Sequence, residues 1–566
     1  MNDAQTEEKT IVLDYDLYGL PTAQHKAGLA GLLLMIESMR MRKMKPLPKV
    51  ENCTASGARI SFTEESMQRL FDDLFDAKWG EVESKTQRKD KEKKPIEPKR
   101  IVEKEVELKG GKKKIVKRYV YDQIQPAGKF LSSFYPDGDG LWLKLWRDML
   151  WSTLRGRPKQ RGVFNERAEE KPSSEGTKWW IKLMKARIAR TKAKTPIENI
   201  ASTVFIGAQD VNAERVPFQG EVEQNFLLFF WLISSLIFVP RRVKLDGELE
   251  HAGFAVVIPE PSDLNFFVDD AKELLQSLET EVAGYRPKAA LIDIPEEGGL
   301  EYLYHMTRER IAKKEIKYSL SAVEIFHLEK QGNNIRTLAA ERILPDKQIL
   351  QDYERMREDY RNPLYKAQRI KNLLAGNPWY TGMQTLFANY PWEFFVWTSS
   401  DTPRRFPFFG YDASRKLRDV ESELKSKGGK PMNEKDQDDL LARRVYRLIQ
   451  AYVNYRTEKK SGKKYEDFKN NKDEKRRTIY PKEYREAREK VCSDAFLAMR
   501  GRREKDFVEY FTGTICSVPQ WLPEEDYLAV SHALIAESEK VKTLAMLALS
   551  ACSYLAGTSK EKGGKS

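Results

Sequence analysis

The stretch that most constrains what this chain can fold into is residues 205–240, FIGAQDVNAERVPFQGEVEQNFLLFFWLISSLIFVP. Its second half, residues 225–239, is the most apolar run in the sequence, interrupted only by Ser234 and Ser235. A membrane helix needs roughly 20 consecutive apolar residues, and this run stops short of that at Pro240-Arg241-Arg242. In an otherwise hydrophilic chain it reads as a helix buried on all sides in a soluble core. Its first half is a polar loop (Gln209, Asp210, Asn212, Glu214, Arg215) that follows a strand-like Thr203-Val204-Phe205-Ile206. A loop bearing Gln and Asn, mounted on a rigid buried element, suits a surface that reads hydrogen-bonding patterns.

With 566 residues the chain has room for two to four domains and one large core. Its net charge of +13, with 32% charged residues, favours an anionic partner, nucleic acid before a membrane surface. No long basic amphipathic helix or lipidation motif supports the membrane. The polar start MNDAQTEEKT resembles neither a secretory signal nor a transit peptide, so a cytoplasmic protein is expected. The four cysteines, Cys53, Cys492, Cys516 and Cys552, form no CxxC pair and have no histidine nearby. That pattern fits a reducing compartment and argues against a structural zinc site.

Along the chain, a strand at 11–15 leads to a helix after Pro21, with Thr22 as its cap. Small residues Ala23, Ala27, Gly28, Ala30 and Gly31 let that helix approach a neighbour closely. A strand at 58–63 and a helix at 64–78 follow. Residues 85–118 then hold fifteen basic against six acidic residues, most of the net charge. Alternating segments at 100–109 and 112–122 flank Gly110-Gly111, a hairpin signal. Such a ribbon is either a solvated arm or a phosphate-binding one, with Lys112, Lys113 and Lys114 foremost.

The segment LDYDLYGLPTAQHKAGLAGLL, with GAQDVNAERVPF and FVP further on, resembles the large (Cas8-type) subunit of type I CRISPR effector complexes, or Cascade. The subtype is the I-B-like one first named from myxobacteria. The resemblance is strongest over residues 1–400. It implies a non-catalytic, cytoplasmic subunit of an antiviral ribonucleoprotein. Such a subunit recognises the protospacer-adjacent motif (PAM) of double-stranded DNA and promotes duplex opening and R-loop formation. The implied partners are guide RNA, target DNA, Cascade backbone and capping subunits, and a small subunit. A helicase-nuclease, or transposition proteins as in a CRISPR-associated transposon, would join them. No cofactor and no membrane are implied.

Aromatic residues at 128–154 are spaced as a helical core, and Asp137-Gly-Asp139-Gly reads as a turn. Residues 155–167, RGRPKQRGVFNER, read as a basic loop on account of their glycines and proline. There Arg155, Arg157, Lys159 and Arg161 are candidates for phosphates, Gln160 and Asn165 for base edges, and Phe164 for an apolar wedge at the opening step. Gln209 and Asn212 are the first candidates for base contacts, since amides match adenine bidentately or meet guanine in the minor groove. A helix at 179–192 turns Lys182, Lys185 and Arg190 outward.

The expected fold is α+β. An N-terminal mixed domain over 1–400 carries the hairpin insertion at 85–122. A linker at 401–431 leads to an all-α bundle at 432–566. In that bundle Arg443 and Arg447 are candidates for the displaced strand, and a last helix spans 527–556. Codon degeneracy allows residues 428–431 to be written as a ribosome-binding sequence ahead of Met432. The resemblance therefore also implies a separately made small subunit starting there. No HExxH, GxSxG or complete P-loop is present. The competing readings are a metal-dependent nuclease and a stand-alone RNA-binding protein.

Overall fold

Ile11, Leu13 and Tyr15 alternate with exposed neighbours, the period-two pattern of a half-buried strand, and form β1 (Ile11–Asp16). The computed structural model describes residues 10–90, 92–107, 113–154, 158–200, 204–206, 217–312, 319–331, 334–399, 404–426, 433–472, 476–518 and 523–555. Just over half of it, 53%, is helical and 20% is strand, so the chain is α+β. It divides into two compact units, Met1–Pro240 with Ala252–Pro345, and Arg241–His251 with Asp346–Ser566. The division falls ahead of the boundary expected at 400.

In the first unit the side chain of Thr22 accepts from the His25 amide and starts α1 (Ala23–Met41), as the sequence predicts. Behind it, β2 (Lys49–Cys53) and β3 (Gly57–Phe62) complete a small sheet of order β1-β3-β2. A Thr63–Ser66 capping box opens α2 (Glu64–Leu74). That helix stops short of Lys78, because Ala77 already begins a strand, β4 (Ala77–Ser84). The expected hairpin forms from β5 (Arg100–Glu107) and β6 (Lys113–Pro126), in register from Arg100↔Val120 to Glu107↔Lys113. With β4 it makes a ribbon of order β4-β6-β5. The following aromatics are core as expected: Phe130, Phe134, Trp142 and Trp146 are buried on α3 (Lys129–Ser132), α4 (Leu141–Met149) and the turn between them. The Asp137 carboxylate accepts the Leu141 amide at 2.8 Å, so the DGDG turn caps α4.

The segment expected to be a basic loop is instead helical, α5 (Pro158–Ala168), followed by α6 (Ser174–Thr191). Proline is at home in a first helical turn, and a Cβ at Gly162 would meet open space, so neither residue breaks the helix. After the short pair β7 (Ile197–Asn199) and β8 (Gln219–Glu221) comes the apolar run, and here too the structure differs from expectation. It splits into α7 (Val222–Leu227), α8 (Trp231–Ser234) and a strand, β9 (Leu236–Val243). Ser235 is the hinge: its hydroxyl donates to the Trp231 carbonyl at 2.7 Å while its own backbone is extended, ending the helix. β9 pairs through Leu236↔Val257 and Phe238↔Ala255 with β11 (Phe254–Pro261). β11 in turn pairs with Leu320–Gln331, and that strand with Asn334–Ile343. The last residues of β9, 241–243, pair with β10 (Leu249–His251) and belong to the second unit.

α1 is buried almost all round, and its glycines explain how. A Cβ on Gly28 would lie 2.8 Å from the Leu227 carbonyl carbon, and one on Gly31 2.8 Å from that of Phe230. The helix therefore touches the backbone of the apolar run, a closeness that only glycine permits.

The second unit is built from helices, the longest being Glu434–Ser461. Its buried stripe of Leu441, Val445, Leu448, Ile449, Tyr452 and Val453 is the one the sequence predicts. The expected last helix is two, Glu524–Ala536 and Ser538–Ser553, parted at Glu537 (φ −138°, ψ 51°). Aromatics from 377–409 lie within this unit's core, with Phe387 and Phe395 set 5.4 and 6.0 Å from Phe496.

Candidate nucleic-acid interface

Gln209 and Asn212 lie outside the described residues, as do Arg155, Arg157 and Lys112. What is described is the point from which the 207–216 segment departs. The side-chain amide of Gln24, buried on α1, clasps the backbone of Ile206 at both ends. Its Nε2 donates to the Ile206 carbonyl at 2.9 Å, and its Oε1 accepts the Ile206 amide at 2.9 Å. Trp231 Nε1 donates to the Val204 carbonyl at 2.8 Å, and the His25 ring stands 6.1 Å from that of Phe205. Burial holds the His25 imidazole down at a pKa of about 4, against a smaller opposing pull from a hydrogen bond to Asn225. Three successive residues, 204–206, are thus tied to α1 and α8. Sequence reasoning missed Gln24, although a buried glutamine in an otherwise apolar helix is the signal that could have found it.

The 155–167 candidates divide once the segment is helical. Phe164 is only 3% exposed. Its ring packs 5.2 Å from Phe75 and 6.1 Å from Trp151, which corrects its assignment as an exposed wedge. The aromatic is spent on core packing. Asn165 is half-buried, whereas Arg161 is exposed and makes no ion pair among the described residues. Lys159 and Gln160 are placed by their backbone, in the first turn of α5.

On the ribbon, β4 supplies what the sequence reading lacked. Glu81 and Glu83 stand beside the hairpin's cations: Arg100 bonds Glu81 at 2.5 Å, Lys99 lies 3.2 Å from Glu81 and 2.9 Å from Asp122, and Lys104 lies 2.8 Å from Glu83. The Lys104 bond holds the Glu83 carboxyl below the usual range, and its partners raise the Lys99 ammonium. Charge near the base of the ribbon is therefore neutralised internally. Lys113 and Lys114, whose backbone lies in β6, and exposed Lys117 stand toward the turn.

Two of the expected outward cations of α6 are engaged: Lys182 with Glu198, and Arg190 with Glu221 and Glu223 at 3.0 Å. Lys185 is exposed. In the second unit Arg447 is half-buried and bonds Glu421 at 2.9 Å. Arg443 has a buried Nε with no hydrogen-bond partner among the described residues. The same helical face is used internally at Gln450, which donates to the Tyr446 hydroxyl at 3.2 Å, and at Asn454, which accepts from Arg488 at 2.8 Å.

Among the described residues no group of three or more His, Cys, Asp or Glu side chains is placed to hold a metal ion, and no helix is long and apolar enough to cross a membrane. The described residues thus form a two-unit α+β protein that carries a three-stranded ribbon and separate exposed cations. Comparison with protein families makes the assignment specific. The Type I-B CRISPR Cas8b N-terminal domain matches residues 47–316, and the Type I-B CRISPR Cas8b C-terminal domain matches 320–552. The chain belongs to the type I-B Cas8b family, the Cas8-type large subunit of Cascade, and so to a complex with other Cas subunits. No curated protein matches the sequence at a significant level.

Proposed function

We propose that this chain is the non-catalytic subunit that recognises the PAM in double-stranded DNA, promotes duplex opening and R-loop formation, and helps recruit a helicase-nuclease or transposition machinery. Guide-RNA pairing supplies most sequence discrimination in such a division of labour, while the protein reads a short duplex motif. Stacking is worth about 1.4 kcal/mol per base-pair step, so protein contacts must offset the first few steps of opening.

The observation that carries the reading is the double hydrogen bond of Gln24 to Ile206, directly ahead of the segment with Gln209 and Asn212. A buried side chain spent on holding the foot of a polar loop supports a loop whose position matters. Gln209 and Asn212 then contact base edges. Arg161, with Arg155, Arg157 and Lys159, holds phosphates, as do Lys112, Lys113 and Lys114 near the ribbon turn. Arg443 and Arg447 are the candidates for the displaced strand, with Arg447 already shared with Glu421.

The test is a complex reconstituted with guide RNA and offered duplexes randomised at the flanking motif. Gln209→Ala or Asn212→Ala should cost about 1–3 kcal/mol at one motif position. Equal loss on every motif would overturn base reading. Cleavage by the purified chain that EDTA abolishes would favour a nuclease, and RNA binding with no other subunit present would favour the stand-alone reading.

A further inference from the structure

Between the ribbon and α4 lies a groove of about 440 Å³, lined among others by Gln123, Gln125, Asp139, Lys144, Asp148 and Trp151. The strand beside Gln125 is unusual. Gly80 sits mid-strand in β4, where glycine normally weakens pairing. A Cβ there would lie 2.8 Å from both the carbon and the nitrogen of the Gln125 amide. The glycine thus leaves the amide room to lie over β4. That amide makes no hydrogen bond among the described residues, although it carries two donors and an acceptor. Its neighbour Gln123 differs, since its oxygen accepts from Arg88 at 2.9 Å.

The four charged side chains that line the groove cancel, Lys144 and Arg147 against Asp139 and Asp148. Arg147 is taken by Asp139 and by the Ala127 carbonyl, and Lys78 adds a contact to Asp139 at 3.5 Å. Lys144 and Asp148, one of each sign, make no ion pair within 4 Å among the described residues, although burial raises the pKa of the Asp148 carboxylate and Arg286, Lys144 and Arg147 act on it in the opposite sense. A lining whose charges cancel does not by itself select a phosphate. It selects a neutral, polar, flat group, and an indole wall with an unspent amide is the combination that receives a base by stacking and edge hydrogen bonds. A peptide would fit the volume but gains less from a rigid aromatic wall.

We propose that this groove takes one unpaired nucleobase, held on its edge by Gln125 with Asp148 and Lys144 at the rim and by the Trp151 wall. The inference rests on the reading that the chain handles opened DNA. A base withdrawn from the stack beside the motif would be kept from re-pairing, which offsets part of the cost of opening.

The test uses the full chain and three short fluorescent probes: single-stranded DNA containing 2-aminopurine, the same sequence as RNA, and the DNA with its central sugars abasic. Gln125→Leu keeps the side chain's size at a half-buried position, and its thermal unfolding is checked alongside. It should weaken base-bearing DNA roughly fivefold to thirtyfold, on the scale of losing one held base. It should leave the abasic probe unchanged and keep the salt slope of the parent chain. The DNA and RNA arms tell an opened target strand from the guide. Equal affinity of parent and variant for base-bearing strands, or equal loss on the abasic probe, would overturn the proposal. A complex that binds duplexes without motif preference while the Gln125→Leu effect persists would instead overturn the wider reading and leave the groove standing.

Discussion

Gly31 faces the carbonyl of Phe230 so closely that a methyl group on its Cα would overlap the carbonyl oxygen. This contact seats α1 on the apolar run, and the same helix holds Ile206 through Gln24. Gly31→Ala must push apart two backbones, with no flexible side chain to absorb the strain. Its expected cost is at the upper end of the about 1–3 kcal/mol typical of overpacking. Ala30→Gly, one position away on the helix, should cost about 1 kcal/mol through propensity and about 1 kcal/mol more through the lost buried methyl, with no backbone pushed aside. Thermal unfolding of the two variants decides, and equal melting would show that the seam yields more than its geometry suggests.

His25 makes a pH prediction. Its folded pKa is lowered from about 6.5 to about 4 because burial disfavours the imidazolium. Below pH 6.5 the unfolded chain takes up this proton first, so the stabilisation is complete above that pH and is lost as pH falls toward 4. The loss approaches about 3 kcal/mol at pH 4, since each tenfold change in proton affinity is worth about 1.4 kcal/mol. Denaturant unfolding of the parent and of His25→Gln at pH 7.5, 6, 5 and 4 isolates the contribution. Parallel curves would rule it out.

Much of this arrangement was legible in the sequence, and the failures have common causes. Thr22, the small residues of α1, the hairpin about Gly110-Gly111 and the stripe from Leu441 to Val453 each carry a local signal, a cap, a packing size or a period, that needs no partner to be read. The apolar run carries none. Leu236, Ile237, Phe238 and Val239 suit a buried strand and a buried helix equally, and length alone does not settle so short a segment. What decides it is pairing with Val256 and Val257, far along the chain. Residues 155–167 failed for the opposite reason: local glycine and proline signals were overruled by the burial of Val163 and Phe164. Of the candidate interface, the types of residue were legible and their engagement was not. Nothing near Arg100 or Lys104 in sequence announces that Glu81 and Glu83 lie across from them.

That neutralisation can be reversed. Glu81→Gln with Glu83→Gln leaves Arg100 and Lys104 without their carboxylates while retaining the strand. If the ribbon lies against nucleic acid, binding to random-sequence duplex should tighten. The dependence of log K on log salt should steepen by about 0.9 for each cation engaged, so by up to about two units. Arg161→Gln should flatten the same slope by about one unit, because Arg161 has no carboxylate to lose. An unchanged slope in the glutamine pair would assign the ribbon to protein contacts.

The separate product expected from Met432 meets a physical condition. Met432 itself lies outside the described residues, but the core its helices share does not. Phe387, Phe395, Phe409, Ala413, Leu417 and Val420 belong to one buried cluster with Val445, Phe496 and Leu544. Trp379 also donates to Asp439 at 2.9 Å from the N-terminal side of that start. A chain beginning at Met432 therefore exposes the apolar faces that those residues cover. Alone it should bind a hydrophobic dye and unfold without a sharp transition, behaviour typical of chains that have lost specific packing. A chain of 346–566, which keeps those residues and lacks only 241–251 of the second unit, should unfold more sharply than the chain from Met432. Expression of the whole gene tests the product itself. A short C-terminal species should accompany the full chain, vanish when Met432 is replaced by Leu, and be found bound to other subunits rather than free. A well-folded, freely monomeric 432–566 fragment would mean that its helices repack without the residues that complete their core here.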